Sequence, residues 1–562
     1  MRIVAVALAA ACSDPGTSEL HEQHSVLLVT LDTVRADALS CYGERAGTTP
    51  GIDALAREGV LYERAFTSAP ITLTAHASLL TGLAPPRHGL RDNGLAALDP
   101  AANTLAEAAR AADVQTAAFV GAVELDRALG LDQGFDVYDG PPARRSQSGH
   151  PTERPARDVI DAALTWLGAR DRARPFFLWV HLYDAHHPYT PRRALPEKST
   201  ELERYLVEVS EMDAELGRLF AWLRAEHLLE QTLVCVTADH GEAFGEHQEL
   251  THGAFCWNTT LQVPLVIRHP DGRRAGERTH ELVSLVDVAP TLAEALGALF
   301  PADIDGRSLL APHAENERGA YFESYAGYLA FGWSPLAGWI DEQGKYVHGS
   351  RPEFYDLAQD PGEEHDLAGE SPAETLDHFR RAIAAIAGRP ALAGRAGEVD
   401  DELRARIQDL GYAAFDATGG AFPDPLEPNQ RPSPHAMVAA WRESLLAQER
   451  LNRGRFDEAA EALRRLLAAD PGNFFLRGQL ATALMRLKKH AEAMDVLRPL
   501  LDAPRVPPQI LYKLGVCALR LGRRDEAARF LAQAVELAPD EVRYRAKLEE
   551  IQSGAPGREE DE

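Results

Sequence analysis

From Ser25 the chain runs SVLLVTLD, a short, continuously apolar and β-branched stretch that ends in Asp32. Such a run predicts a strand buried on both faces rather than one that alternates between core and solvent. Comparable runs begin at Gln115 (QTAAFVG), Pro175 (PFFLWVHLYD), Thr232 (TLVCVTADHG) and Val263 (VPLVIRHP). Between them apolar positions fall at helical spacing, as in TLAEAARAA from Thr104 and YLVEVSEMDAELGRLFAWLRAEHLLEQ from Tyr205. This alternation predicts an α/β fold with a mostly parallel central sheet covered by helices on both faces.

Ligands of such sheets bind beyond the carboxyl ends of the strands. Asp32 ends the first run, His181 and Asp184 end the third, and Asp239 with His240 ends the fourth, so all five are expected on one rim. Carboxylates and imidazoles converging without Cys suit a hard or borderline divalent metal ion: Mn, Mg, Ca or Zn. In APITLTAHASLLTG, Ala69 to Gly82, Thr72 falls at the start of an expected helix with His76 one turn on. Unpaired backbone N–H groups at a helix start receive anions, so a hydroxyl there suits attack on an ester of an oxyacid. The plainer reading of Thr72 is an N-cap. A cation beside it would lower the hydroxyl pKa and polarise the ester oxygens.

After Gly388 the composition turns rich in Pro, Gly and charge, through GRAGEVDDELRARIQDLGYAAF and GGAFPDPLEPNQRPSPH. That pattern predicts a short helix and an extended linker. Beyond it Glu458-Ala459, Glu492-Ala493 and Glu526-Ala527 recur at a spacing of 34 residues, with Gly454, Lys488 and Gly522 in step. The period resembles tetratricopeptide repeats, whose stacked helices usually receive a protein or peptide partner. At the other end IVAVALAAA followed by Cys12 resembles a short bacterial lipoprotein export signal, which implies an exported, periplasmic or outer-membrane-associated protein attached by lipid at Cys12. The expected division is an export signal over 1–23, a catalytic domain over 24–395 and a linker over 396–435. Repeats over 436–552 and a disordered tail over 553–562 complete it.

A formal net charge of -27 argues against a nucleic-acid partner, whose phosphates require Lys and Arg. The five Cys show neither CxxC pairing nor metal-ligand spacing, so the metal expectation rests on Asp and His alone.

LLVTLDTVRADALSCYG, APITLTAHASLLTG, HLYDAHHPYTP, VTADHGEAFGEH with THGAF, and PEFYDLAQDPGEEHDLA occur in that order. Together they resemble the bacterial sulfatase-like proteins of the alkaline phosphatase superfamily, over roughly residues 24 to 412, here joined to tetratricopeptide repeats. The resemblance implies Asp32, Asp239 and His240 as metal ligands, with Thr72 as a further ligand and the nucleophile. It places His76 where sulfatases carry the Arg of their CxPxR motif, His186 on the substrate side, and His252 near the lysine that contacts sulfate. Asp184, His186 and His252 could hold a second ion.

Thr72-Leu73-Thr74-Ala75-His76 lacks the Cys, Pro and Arg of the sulfatase motif, and Thr33 replaces the second acid of its DD pair. Oxidised Thr is a ketone that hydrates poorly, so the formylglycine route is closed. A phosphorylated Thr can instead be relieved by water or an alcohol attacking phosphorus. The expected activity is therefore that of a metal-dependent hydrolase or transferase acting on an anionic phosphate mono- or diester through Thr72. Catalysis would involve Thr72, His76, His186 and His252, with His186 or His252 assisting the leaving oxygen. A sulfuric ester hydrolase without formylglycine is the first alternative. The second is a repeat-based scaffold with an inactive catalytic domain. Arg87, His88, Arg91 and Asn93 read equally well as a substrate mouth or as a solvated loop.

Overall fold

The computed structural model describes residues 23–553 except 44–48, 142–153, 311–317, 503–505, 540–541 and most of 397–421. Cys12, most of the expected linker and nearly all of the expected tail therefore lie outside the described residues. Among the described residues no helix is long and apolar enough to cross a membrane.

The main sheet contains β1 (Ser25–Leu31), β2 (Val60–Phe66), β3 (Gln115–Val120), β4 (Val137–Asp139), β5 (Phe176–Leu182), β6 (Thr232–Ala238), β7 (Gln262–Arg268) and β8 (Glu277–Ser284). Their order is β4-β3-β5-β1-β6-β7-β2-β8. Neighbours are parallel except at β7, which runs antiparallel to both β6 and β2. The mostly parallel sheet is as expected from the apolar runs, and the VPLVIRHP run forms its one reversed strand. β1 sits centrally, with Val26 to Val29 fully buried, which is why its sequence does not alternate. β2 (VLYERAF) escapes that pattern because Glu63 and Arg64 interrupt it where the ladder shifts register. Helices α1 (Thr72–Thr81), α2 (Leu105–Ala111), α3 (Ala156–Ala169) and α4 (Glu201–Ala225) cover the faces. Both α2 and α4 begin with a reciprocal Thr-Glu capping box, Thr104 with Glu107 and Thr200 with Glu203.

A second, antiparallel sheet follows in the order β9 (Ala320–Ser324), β10 (Leu336–Asp341), β11 (Gly344–His348), β12 (Glu353–Tyr355). Phe379 and Ile383 of α5 (Ala373–Ala387) pack on its Tyr321, Tyr346 and Phe354.

The C-terminal region is helical: α6 (Val438–Asn452) pairs with α7 (Phe456–Ala469), α8 (Phe474–Arg486) with α9 (His490–Leu497), and α10 (Pro508–Arg520) with α11 (Arg524–Leu537). A last helix, α12 (Val542–Gln552), packs on α11. The repeated Ala459, Ala493 and Ala527 are fully buried, as small residues at close helix crossings should be. Gly454, Lys488 and Gly522 all take positive φ (72°, 60° and 75°) at the turn inside each pair. The repeats do not hang free. Trp441 and Val438 of α6 share a core with Phe255, Trp257 and Trp333, Phe331 meets Trp441 edge-on at 5.8 Å, and Asn473 Nδ2 donates to Ala330 O at 3.1 Å.

Candidate active site

Register explains why the acids meet. Leu31 of β1 lies beside Ala238 of β6, so Asp32 and Asp239 are the next residues off two adjacent parallel strands. Asp32, Asp239 and His240 are fully buried, with one ligand atom of each within 4.8 Å of the others. Asp239 Oδ1 accepts from the N–H groups of His240 (2.8 Å) and Thr33 (3.2 Å). Oδ2 accepts no hydrogen bond from the described residues and lies 3.5 Å from His240 Nε2. Thr33 holds its N–H there with φ at 57°, a conformation costly for a β-branched residue.

His240 Nδ1 is 3.0 Å from the Gly241 carbonyl, which can only accept, so the proton sits on Nδ1 and the lone pair on Nε2. That lone pair faces Asp239 Oδ2 and Thr72 Oγ1. Burial pushes the Asp239 carboxyl up to about 6 and the His240 imidazole down to about 3. Buried carboxylates beside a neutral imidazole whose other nitrogen is fixed by a carbonyl form a donor set that fits a divalent cation. A cation there would offset the cost of burying the acids.

α1 brings Thr72 to this cluster. Its cap position is Ile71, in extended conformation with no side-chain cap, and Thr72 is the first helical residue. The Leu73 N–H is bonded by Asn93 Oδ1 at 2.9 Å, so the capping work belongs to Asn93, and the N-cap reading of Thr72 fails. Thr72 Oγ1 is buried, 3.4 Å from His240 Nε2. His76 points elsewhere: Nδ1 bonds the Thr72 carbonyl at 2.8 Å and Nε2 meets Thr30 Oγ1 at 3.1 Å. It touches the cluster through Asp239 Oδ2 at 3.7 Å and through the His181 ring. Its geometry is that of a buried brace for the first turn of α1, and burial lowers its pKa.

His186 and His252 come together, with ring centroids 5.3 Å apart, and His252 lies 4.4 Å from the His240 ring. His186 Nδ1 bonds the His187 carbonyl at 2.7 Å, and His252 Nδ1 bonds Glu242 Oε1 at 3.1 Å. Both therefore carry the proton on Nδ1 and the lone pair on Nε2, and burial pushes each down to about 3. Glu242 Oε2 accepts from the Tyr189 hydroxyl at 2.9 Å. Asp184 does not join them. Its Oδ2 accepts from Ala156 N at 2.7 Å, at the first residue of α3, and the histidine pair has Glu242 instead. Among the described residues Asp184, His186 and His252 form no group whose ligand atoms lie within 4.8 Å of one another.

His181, whose Nε2 lies 3.3 Å from Asp32 Oδ2, borders the cluster from β5. Glu124, fully buried and raised to about 7 chiefly by burial, is the acid near Asp239 that no strand end announced. Glu242 was visible within VTADHGEAFGEH, but its partners, Tyr189 and His252, come from separate loops. Among the loop residues Arg87 is tied to Asp303 and Asp305, Arg91 to Glu323, and His88 to Ser78. Those three support the fold, while Asn93 holds α1.

Comparison with known proteins identifies the fold that carries these residues. A sulfatase family model covers residues 24–298, an N-sulphoglucosamine sulphohydrolase C-terminal model covers 245–385, and tetratricopeptide repeat models cover 450–509 and 508–541. An uncharacterised sulfatase of Escherichia coli (strain K12), YidJ, is 26% identical over 426 residues, 61% of this chain and 82% of that protein. A multifunctional alkaline phosphatase superfamily protein of Trinickia caryophylli, PehA, is 26% identical over 489 residues, 64% of this chain and 94% of that protein. Among solved structures the phosphonate monoester hydrolase of Agrobacterium radiobacter shares the fold at a TM-score of 0.55 and 23% identity, covering 65% of this chain and 96% of its own. The chain belongs to the sulfatase-like family of the alkaline phosphatase superfamily and carries tetratricopeptide repeats after the sulfatase fold.

Proposed function

We propose that the protein is a metal-dependent hydrolase or transferase of phosphoric esters with Thr72 as nucleophile. The observation that carries this reading is the position of Thr72 Oγ1: buried, relieved of capping, and 3.4 Å from His240 Nε2 beside two buried carboxylates. Asp32, Asp239 and His240 would hold the divalent ion. When bound, such an ion withdraws charge from the ester oxygens and lowers the pKa of the Thr72 hydroxyl.

Thr72 Oγ1 forms the bond to phosphorus as the alcohol departs. The Thr72 hydroxyl, made more acidic by the ion, gives up its proton, and Nε2 of His186 or His252 would carry that proton to the departing alkoxide once a bound anionic ester raises the imidazole from its low resting value. Water or an acceptor alcohol then attacks the phosphothreonine, and the same nitrogen takes its proton and restores the Thr72 hydroxyl. The expected aid to the leaving oxygen is thus the second half of a relay that begins with a neutral imidazole.

Preference for phosphorus over sulfur rests on Thr72 itself, which cannot become an aldehyde. The names of two relatives, a phosphonate monoester hydrolase and a multifunctional alkaline phosphatase superfamily protein, agree with it. A sulfuric ester is the second reading, supported by the sulphohydrolase family model. The buried donor set of Asp32, Asp239 and His240 speaks against an inactive scaffold. The deciding experiment assays the full chain on aryl phosphate, aryl phosphodiester and aryl sulfate with Mn or Zn. Turnover of the sulfate alone would overturn the phosphate preference. Export with lipid at Cys12 and a peptide partner for the repeats complete the proposal. Loss of fatty-acid labelling in Cys12→Ser tests the first.

A further inference from the structure

The cavity that opens onto His186 and His252 has a wall supplied by the repeat region. On one side it is lined by Ile71, Leu250 and the two histidines, on the other by Trp441, Leu445 and Leu446 of α6. Ile71 is the residue before Thr72, and the lining His252 lies 4.4 Å from the His240 ring, so the cavity adjoins the candidate site. Positions spaced by four, seven, eight and eleven residues lie on one side of a helix. Trp441, Leu445, Gln448, Glu449 and Asn452 have that spacing and all line the cavity. Between them Ser444, Ala447 and Leu451 are buried, the last two in the core of the repeats. One side of α6 is thus committed to the repeat stack and the other to the cleft.

The wall is anchored at both ends. Trp441 packs edge-on against Phe255 and Phe331, and Gln448 Oε1 accepts from Gln479 Nε2 of α8 at 2.7 Å. The cavity measures about 160 Å³, close to the roughly 150 Å³ that an engineered apolar cavity needs to take one benzene ring.

We propose that α6 is part of the substrate-binding site and that its apolar end, Trp441, Leu445 and Leu446, receives the organic group of the ester, an aryl or similarly compact apolar alcohol. Leu445 and Leu446 are then specificity residues, and the repeats serve the enzyme's own substrate as well as a partner. This inference rests on the reading of the Thr72 cluster as the centre that handles the oxyacid group. Its test therefore reads binding rather than turnover.

In the full chain with Mn, calorimetric affinity for phenylphosphonate is compared with that for methylphosphonate, and benzenesulfonate with methanesulfonate. The wild type is expected to prefer the phenyl member of at least one pair by about tenfold or more. Leu445→Ala should cut that preference at least fivefold, and Leu446→Trp, which fills the cavity, should abolish it. Neither should move affinity for the methyl member by more than twofold, and equal thermal midpoints would show that both variants fold. A wild type without the preference, or variants that lower phenyl and methyl affinities in parallel, overturns the inference. If the preference holds and responds to both variants while no ester is turned over, the cavity assignment stands and the Thr72 mechanism falls.

Discussion

Thr72 Oγ1 lies 3.4 Å from His240 Nε2, although the two residues are 168 positions apart in the chain. The contact joins the first turn of α1 to the end of β6, and it gives the first prediction. Thr72→Ala should lower turnover by at least about a thousandfold, as loss of a nucleophile does. Thr72→Ser should restore most of it, because the hydroxyl returns on the same backbone. Metal content, measured by elemental analysis, should stay near the wild-type value in both, since Asp32, Asp239 and His240 remain. Turnover by Thr72→Ala within tenfold of wild type would remove Thr72 as nucleophile.

The second prediction concerns the donor set. A ligand present at a hundred times its Kd stabilises the folded state by about 2.7 kcal/mol. Chelation should lower the thermal midpoint and abolish turnover, and Mn, Zn, Mg or Ca should restore at least the midpoint. In Asp239→Ala the added metal should leave the midpoint unmoved. A variant that still gains the full shift would mean that Asp239 is not a ligand.

Glu242 is placed to act through His252, whose Nδ1 it holds at 3.1 Å while taking the Tyr189 hydroxyl with its other oxygen. Removing such a partner costs roughly 10- to 100-fold in related settings. Glu242→Gln should lower kcat by that order with KM little changed, because an amide can present its NH2 to Nδ1 and turn the imidazole to the other tautomer. Nitrogen-15 NMR of the histidine ring would report the switch directly. An unchanged tautomer together with full kcat would leave Glu242 a packing residue.

Much of this site was readable because a strand buried on both faces leaves an unmistakable apolar run, and Asp32, Asp239 and His240 stand directly after two of them. The same rule misled at Asp184. That residue also follows a run, but it lies two positions beyond Leu182, the last residue of β5, and its carboxylate goes to the start of α3. Glu242, Tyr189 and Asn93 could not be placed, since what each touches depends on loops whose paths no local pattern fixes. The second sheet was also missed by periodicity. Its strands are short, and Lys345 within it is buried against Glu363, a pairing that reads as surface polarity in a linear chain. The repeats were legible as repeats, but their docking on Phe255 and Trp333 was not, because nothing in a 34-residue period says what lies against its first helix.

That period yields a further prediction. Lys488 occupies the left-handed position that Gly454 and Gly522 hold in the neighbouring units, at a φ of 60°. A residue with a Cβ pays about 1 kcal/mol or more in that region, partly offset because Gly loses more freedom on folding. Lys488→Gly should raise repeat stability by several tenths of a kcal/mol, and Gly454→Lys should lower it by about 1 kcal/mol. Urea unfolding of the full chain followed by far-UV circular dichroism would measure both. A Lys488→Gly change of the opposite sign would show that the Lys side chain contributes more than its backbone costs.

His88 gives a prediction of acid sensitivity away from the metal ligands. It is fully buried, with Nδ1 accepting from Leu90 N at 3.2 Å and Nε2 donating to Ser78 Oγ at 3.0 Å. That fixes it as a neutral ring protonated on Nε2. Burial first, and the nearby Arg91 second, push its pKa down to about 3, whereas in an unfolded chain it returns to about 6.5. Between those values the unfolded state binds the extra proton. The folded state is therefore at full advantage above about pH 6.5 and loses it as pH falls towards 3, by up to about 1.4 kcal/mol per unit. The other buried histidines titrate in the same direction, so the wild-type slope alone cannot assign the effect. The difference between wild type and His88→Asn does, because Asn can still donate to Ser78 but has no proton to gain. Urea midpoints measured from pH 7 to pH 5 should fall more steeply for the wild type than for the variant. Parallel slopes would mean that His88 takes up its proton over the same pH range in the folded and the unfolded chain, so that burial does not hold it neutral.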